Sequence, residues 1–156
     1  MTPSTARTTR TLLGLALAAT PLAAATTASA TDASDLAEVR AATARYHDVD
    51  RAIADGYRLA SGCVPNMGYH YQRGIAATGD DLAPTSPEIL VYAPRPNGGL
   101  RLVAVEYATW DADATLLGRA FDAPHGDGPP FHTLHAWVWQ GNPNGTFAPL
   151  NPNVRC

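Results

Sequence analysis

The chain predicts an α+β fold, an N-terminal helix or helix pair packed on a small antiparallel β-sheet or barrel and held by one disulfide. Three observations carry this. Apolar residues recur at three- and four-residue steps only between Thr31 and Tyr57, the spacing of one helix face. From Gly62 onward the chain breaks into short apolar runs divided by glycine and proline, as strands and turns do. The two cysteines, Cys63 and Cys156, form an even pair, which bonds in an oxidising compartment.

An export segment precedes the helix. Arg7 and Arg10 give a short basic start, Thr11 to Ala19 an apolar core, and Ala28-Ser29-Ala30 an A-x-A signal. This is the layout of a signal peptide, residues 1–30, cleaved after Ala30. Its apolar run is far shorter than the ~20 residues that span a bilayer, so no membrane insertion is expected after cleavage. Two threonines separate the arginines, so there is no twin-arginine pair. The chain is expected to leave the cell unfolded, to take up any metal outside, and to work as a secreted or extracytoplasmic protein in the periplasm or cell envelope.

Residues 31–156 then form a single globular domain, long enough for a real core. They hold fourteen acidic residues against nine arginines and no lysine, a formal charge of −5. Nothing in that balance offers the basic stripe a nucleic-acid partner needs.

The helical face is Leu36, Val39, Tyr46, Val49, Ile53 and Tyr57. Asp35 and Glu38 suit a capping box, Gly56 suits the C′ position, and Asp48 can restart the helix after a break at His47. The spacing thus allows one long helix or two short ones. Strands are expected at Met67–Tyr71, Glu88–Ala93, Leu100–Thr109 and Phe131–Gln140, with a last short one from Phe147. Ala120 to Pro130 reads as a loop carrying His125. With Asn97-Gly98 as a two-residue turn, the hairpin sets Ile89 opposite Glu106, Leu90 opposite Val105, Val91 opposite Ala104, Tyr92 opposite Val103 and Ala93 opposite Leu102. Both of its faces are apolar, as in a sheet covered on both sides.

Glu106 therefore lies on an apolar face. A carboxylate there must be paired, protonated or bound to a cation. Arg73, Arg101 or Arg119 could neutralise it. The histidines offer another answer, because neutral imidazole is the commonest metal ligand, and two with one carboxylate suit zinc, non-haem iron or copper. Of the five histidines, His47 is on the helix, His70 on a strand and His125 in a loop. His132 and His135 are three apart, so on a strand they face opposite ways and cannot share an ion. His135 lies deeper in its strand and is the candidate. The candidate metal ligands are thus His70, Glu106 and His135, with His125 as a loop-borne fourth.

Other sites are absent. The chain has no H-E-x-x-H, no glycine-rich phosphate loop and no G-x-S-x-G. Ser34, Ser61 and Ser86 stand in no nucleophile-like sequence setting. Cys63 and Cys156 lack C-x-x-C partners, which favours a structural bridge over thiolate ligation.

Four segments, DVDRAIADGY, NMGYHY, LVAVEY and LHAWVWQGNPNGTFAPLNPNVRC, give the chain its resemblance to an uncharacterised family of exported bacterial proteins. His70, Glu106, His135 and Cys156 fall in these segments, and the family lends no catalytic residues. The ligand types are also loosely similar to those of a cupin, although the cupin H-x-H pair followed by a glutamate is missing. The function expected is a mononuclear transition-metal site, used for metal binding or for metal-assisted chemistry on a small molecule. The alternatives are a metal-free ligand-binding module whose pocket is lined by Tyr69, Tyr71, Tyr92, Tyr107, Trp110, Trp137 and Trp139, or a structural cell-envelope protein.

Overall fold

The computed structural model describes residues 1, 25–126 and 128–156. Most of the expected signal segment lies outside the described residues. Helix α1 (Ala25–Thr43) starts before the expected cleavage point, so Asp35 and Glu38 fall inside it and do not cap its start. Of the two arrangements the spacing allows, the structure has the broken one: a 3-10 turn (Ala44–His47) interrupts the helix and α2 (Val49–Ala54) restarts it. The Asp48 side chain caps that restart, accepting from Asp50 N at 3.0 Å. Gly56, at φ +96°, ends it in the left-handed region. Among the described residues, no helix is long and apolar enough to cross a membrane.

The sheet is antiparallel and open, in the order β1 (Arg58–Leu59), β2 (Tyr69–Gln72), β3 (Ile89–Pro94), β4 (Leu100–Thr109) and β7 (His132–Ala136). The expected sheet is therefore found in its open form, not as a closed barrel. A separate small hairpin pairs β5 (Thr115–Leu116) with β6 (Arg119–Ala120).

The central hairpin reaches the expected register by a different route. Its loop is three residues, Pro96 to Gly98, closed by Arg95 N donating to Gly99 O. That shifts the turn-proximal pairs by one, giving Tyr92 opposite Leu102 and Ala93 opposite Arg101. A bulge at Val103 then adds a residue to β4 and shifts the pairing back, so Ile89 faces Glu106, Leu90 faces Val105 and Val91 faces Ala104. The carbonyl freed at Val103 accepts from the backbone of Trp139 and Gln140.

Strand β7 ends at Ala136, so Trp137 to Gln140 is not strand, and the chain from Phe147 turns without forming the expected last strand. The two faces are covered differently. Leu90, Tyr92, Val105, Tyr107 and Leu134 pack against Val39, Tyr46, Ala52 and Tyr57 on the helical side. On the other face Val91, Ala93, Val103 and Ala104 pack under Trp137 and Val154 of the C-terminal segment. Backbone bonds from Asn66 N to Val154 O and from Asn151 N to Asn66 O hold that segment down. The Cys63–Cys156 disulfide, closing 93 positions, fastens its end.

Candidate metal centre

Strand alternation brings three of the four candidate ligands together. Glu106 on β4 lies directly opposite His135 on β7 and Ile89 on β3, and His70 on β2 lies opposite Val91, one step along the same face. All three side chains thus rise from the face that carries Val91 and Ala104. His132, three residues from His135, takes the opposite side of β7 and stays outside the group.

The geometry is convergent. His70 Nε2 is 3.6 Å from Glu106 Oε2, and His135 Nε2 is 3.6 Å from Glu106 Oε1. One ligating atom from each residue lies within 4.8 Å of the other two. Two donors held ~2.1 Å from one ion in tetrahedral directions are about 3.4 Å apart, so small side-chain movements would seat one. None of the three arginines that could have neutralised Glu106 reaches it: Arg73 lies over the Tyr57 ring and donates to Ser86, Arg119 pairs with Asp32, and Arg101 sits opposite Ala93 towards the other end of β4. Among the described residues, the histidines are the only charge partners of Glu106.

The polar atoms are poised but unsatisfied. Glu106 and His135 are 4% and 2% exposed. Glu106 Oε2 and both ring nitrogens of His135 are buried without a hydrogen-bond partner. Burial pushes the Glu106 carboxyl up to about 7, with His70 opposing the shift. Burial likewise pushes His135 down to about 4, and His70 also below its ordinary value. Both imidazoles are therefore neutral at physiological pH, the form that binds metal.

Ser61 adds a feature the sequence reading missed. Its Oγ lies 2.9 Å from His70 Nδ1 and 3.0 Å from Gly62 O. One hydroxyl proton serves one acceptor. With it given to Gly62, His70 Nδ1–H donates to Ser61 and the Nε2 lone pair faces the cluster. The Val64–Gly68 turn and the Arg58–Gln72 pairing return Ser61 beside His70. A hairpin centred on Pro65-Asn66 was the signal that could have found it.

A cavity of about 620 Å³ opens over the three residues. His125 lines it from an exposed loop but is not within the ligand cluster, so the expected fourth ligand is corrected to a rim residue. The seven aromatics expected to line a pocket do not line this one. Tyr92, Tyr107 and Trp137 are buried in the core, Tyr69, Tyr71 and Trp139 pack against it, and Trp110 is exposed. The phenyl wall is Phe131 instead. Comparisons with known proteins add no relative: no family model, no curated protein and no solved structure matches the chain.

Proposed function

We propose that the protein is an exported metal protein with one divalent transition ion (zinc, copper or iron) held by His70 Nε2, Glu106 and His135 Nε2. We place it with the exported family its four segments resemble. The carrying observation is the buried, unpartnered state of Glu106 Oε2 and both His135 nitrogens beside one another. Leaving such an atom without a partner costs about 1–3 kcal/mol, and a ligated cation removes that cost at Glu106 Oε2 and His135 Nε2. Two imidazoles and a carboxylate leave coordination positions open towards the cavity. When bound, such an ion supplies Lewis acidity and makes a coordinated water nucleophilic near neutral pH. The disulfide fits the oxidising compartment that export implies.

The Ser61–His70 contact favours a second reading, a serine hydrolase with His70 as base and Glu106 behind it. That reading leaves His135, whose unpartnered Nε2 lies 3.6 Å from Glu106 Oε1, without a purpose, and the metal reading does not. Elemental analysis of residues 31–156, without a histidine tag and after equilibration with limiting zinc, copper and iron, separates the two. Near one equivalent of one metal, lost in His70→Ala and Glu106→Ala, is expected. No retained metal together with fluorophosphonate labelling of Ser61 would establish the hydrolase instead.

A further inference from the structure

The cavity above the three ligands has a definite chemical character. Its apolar lining includes Val64, Met67, Ile89, Pro129, Phe131 and Pro149. Among the described lining residues none is arginine, and the chain has no lysine. The acidic side chains among the described lining residues are Glu106 and Asp122. At about 620 Å³ it falls within the range of sites that enclose a small organic molecule.

We infer that this cavity binds a small molecule with an apolar, ring-sized body and one lone-pair donor. The inference rests on the metal reading for the place of the donor, and on the cavity lining alone for the body. A ring seated among Val64, Met67, Ile89 and Phe131 buries its faces, while its donor reaches the open side of His70, Glu106 and His135. Gln72, Thr133 and His125 supply polar groups that can orient it.

Two probes test this on the cobalt(II)-loaded protein by calorimetry and the visible cobalt spectrum: imidazole and 4-phenylimidazole. The phenyl ring is expected to tighten binding over imidazole by roughly tenfold or more, the scale of a buried ring. Phe131→Ala is expected to remove much of the phenyl advantage and leave imidazole unchanged. Equal affinity for the two imidazoles would overturn the inference. If the protein holds no cobalt, the metal reading fails on its own. The same probes followed by NMR on the metal-free protein then decide the cavity: preferential binding of 4-phenylimidazole upholds it, and no preference sinks it.

Discussion

The two faces of the sheet are buried alike and treat their polar groups in opposite ways. On the helical face three tyrosines are fully buried, and each hydroxyl donates to a backbone carbonyl: Tyr57 to Pro87 at 2.6 Å, Tyr92 to Tyr46 at 2.7 Å and Tyr107 to Pro84 at 2.6 Å. On the other face Glu106 and His135 are as deeply buried, yet Glu106 Oε2 and both His135 nitrogens have no partner. One face satisfies each of these three tyrosines and so stabilises the fold. The other keeps donor atoms free beside a cavity, at a cost to stability that only a ligand offsets.

That contrast can be broken by removing what covers the second face. Cys63→Ser with Cys156→Ser frees the C-terminal segment and, on the loop-closure estimate, costs about 4–5 kcal/mol in urea unfolding. Metal affinity should fall with it, since Val154 and Trp137 pack on the same face. An undiminished midpoint would show that the segment holds itself in place.

Glu106→Gln sharpens the contrast. A carboxyl raised to about 7 in the fold and near its ordinary value when unfolded gives the metal-free protein stability that is full below pH ~4.5 and lost as pH rises through about 7. Glutamine mimics the protonated form, so the metal-free variant should exceed the natural protein by about 3 kcal/mol at pH 8 and by little at pH 4. His135, lowered to about 4, works the other way, adding stability as pH rises from about 4 to 6.5. The natural protein should therefore vary little between those pH values, and the variant should gain. Equal pH profiles would mean that Glu106 ionises freely in the metal-free fold.

On the helical face the outcome is reversed. Tyr107→Phe leaves Pro84 O without its donor and should cost about 1–2 kcal/mol, with metal binding unchanged. The smallest effect is expected at Ser61→Ala, which should leave the fold intact and weaken metal binding about tenfold through loss of the His70 Nδ1 partner. Unchanged affinity there would remove Ser61 from the site.

What the sequence made legible follows the same division. Glu106, His70 and His135 were readable because strand parity and hairpin pairing are local rules, and the pairing of Glu106 with Ile89 survived because a three-residue loop and the Val103 bulge offset one another. Neither deviation was visible, since the bulge depends on the irregular segment after β7 that uses its carbonyl. The helix break at Asp48 and its end at Gly56 were legible from capping chemistry. Trp137 to Trp139 misled because aromatic residues suit a strand, whereas here they bend away to cover the sheet. The place of His125 outside the cluster is set by a loop whose path no periodicity encodes, whereas the approach of Ser61 follows from a Pro65-Asn66 turn that was there to be read.

The most direct test of the central claim is the long-range 1H–15N NMR spectrum of the histidine rings, recorded metal-free and with one equivalent of zinc. Nε2 of both His70 and His135 is expected to move to metal-bound shifts while His47, His125 and His132 stay in place. Zinc-dependent shifts at His125 or His132, with His70 and His135 unmoved, would contradict it.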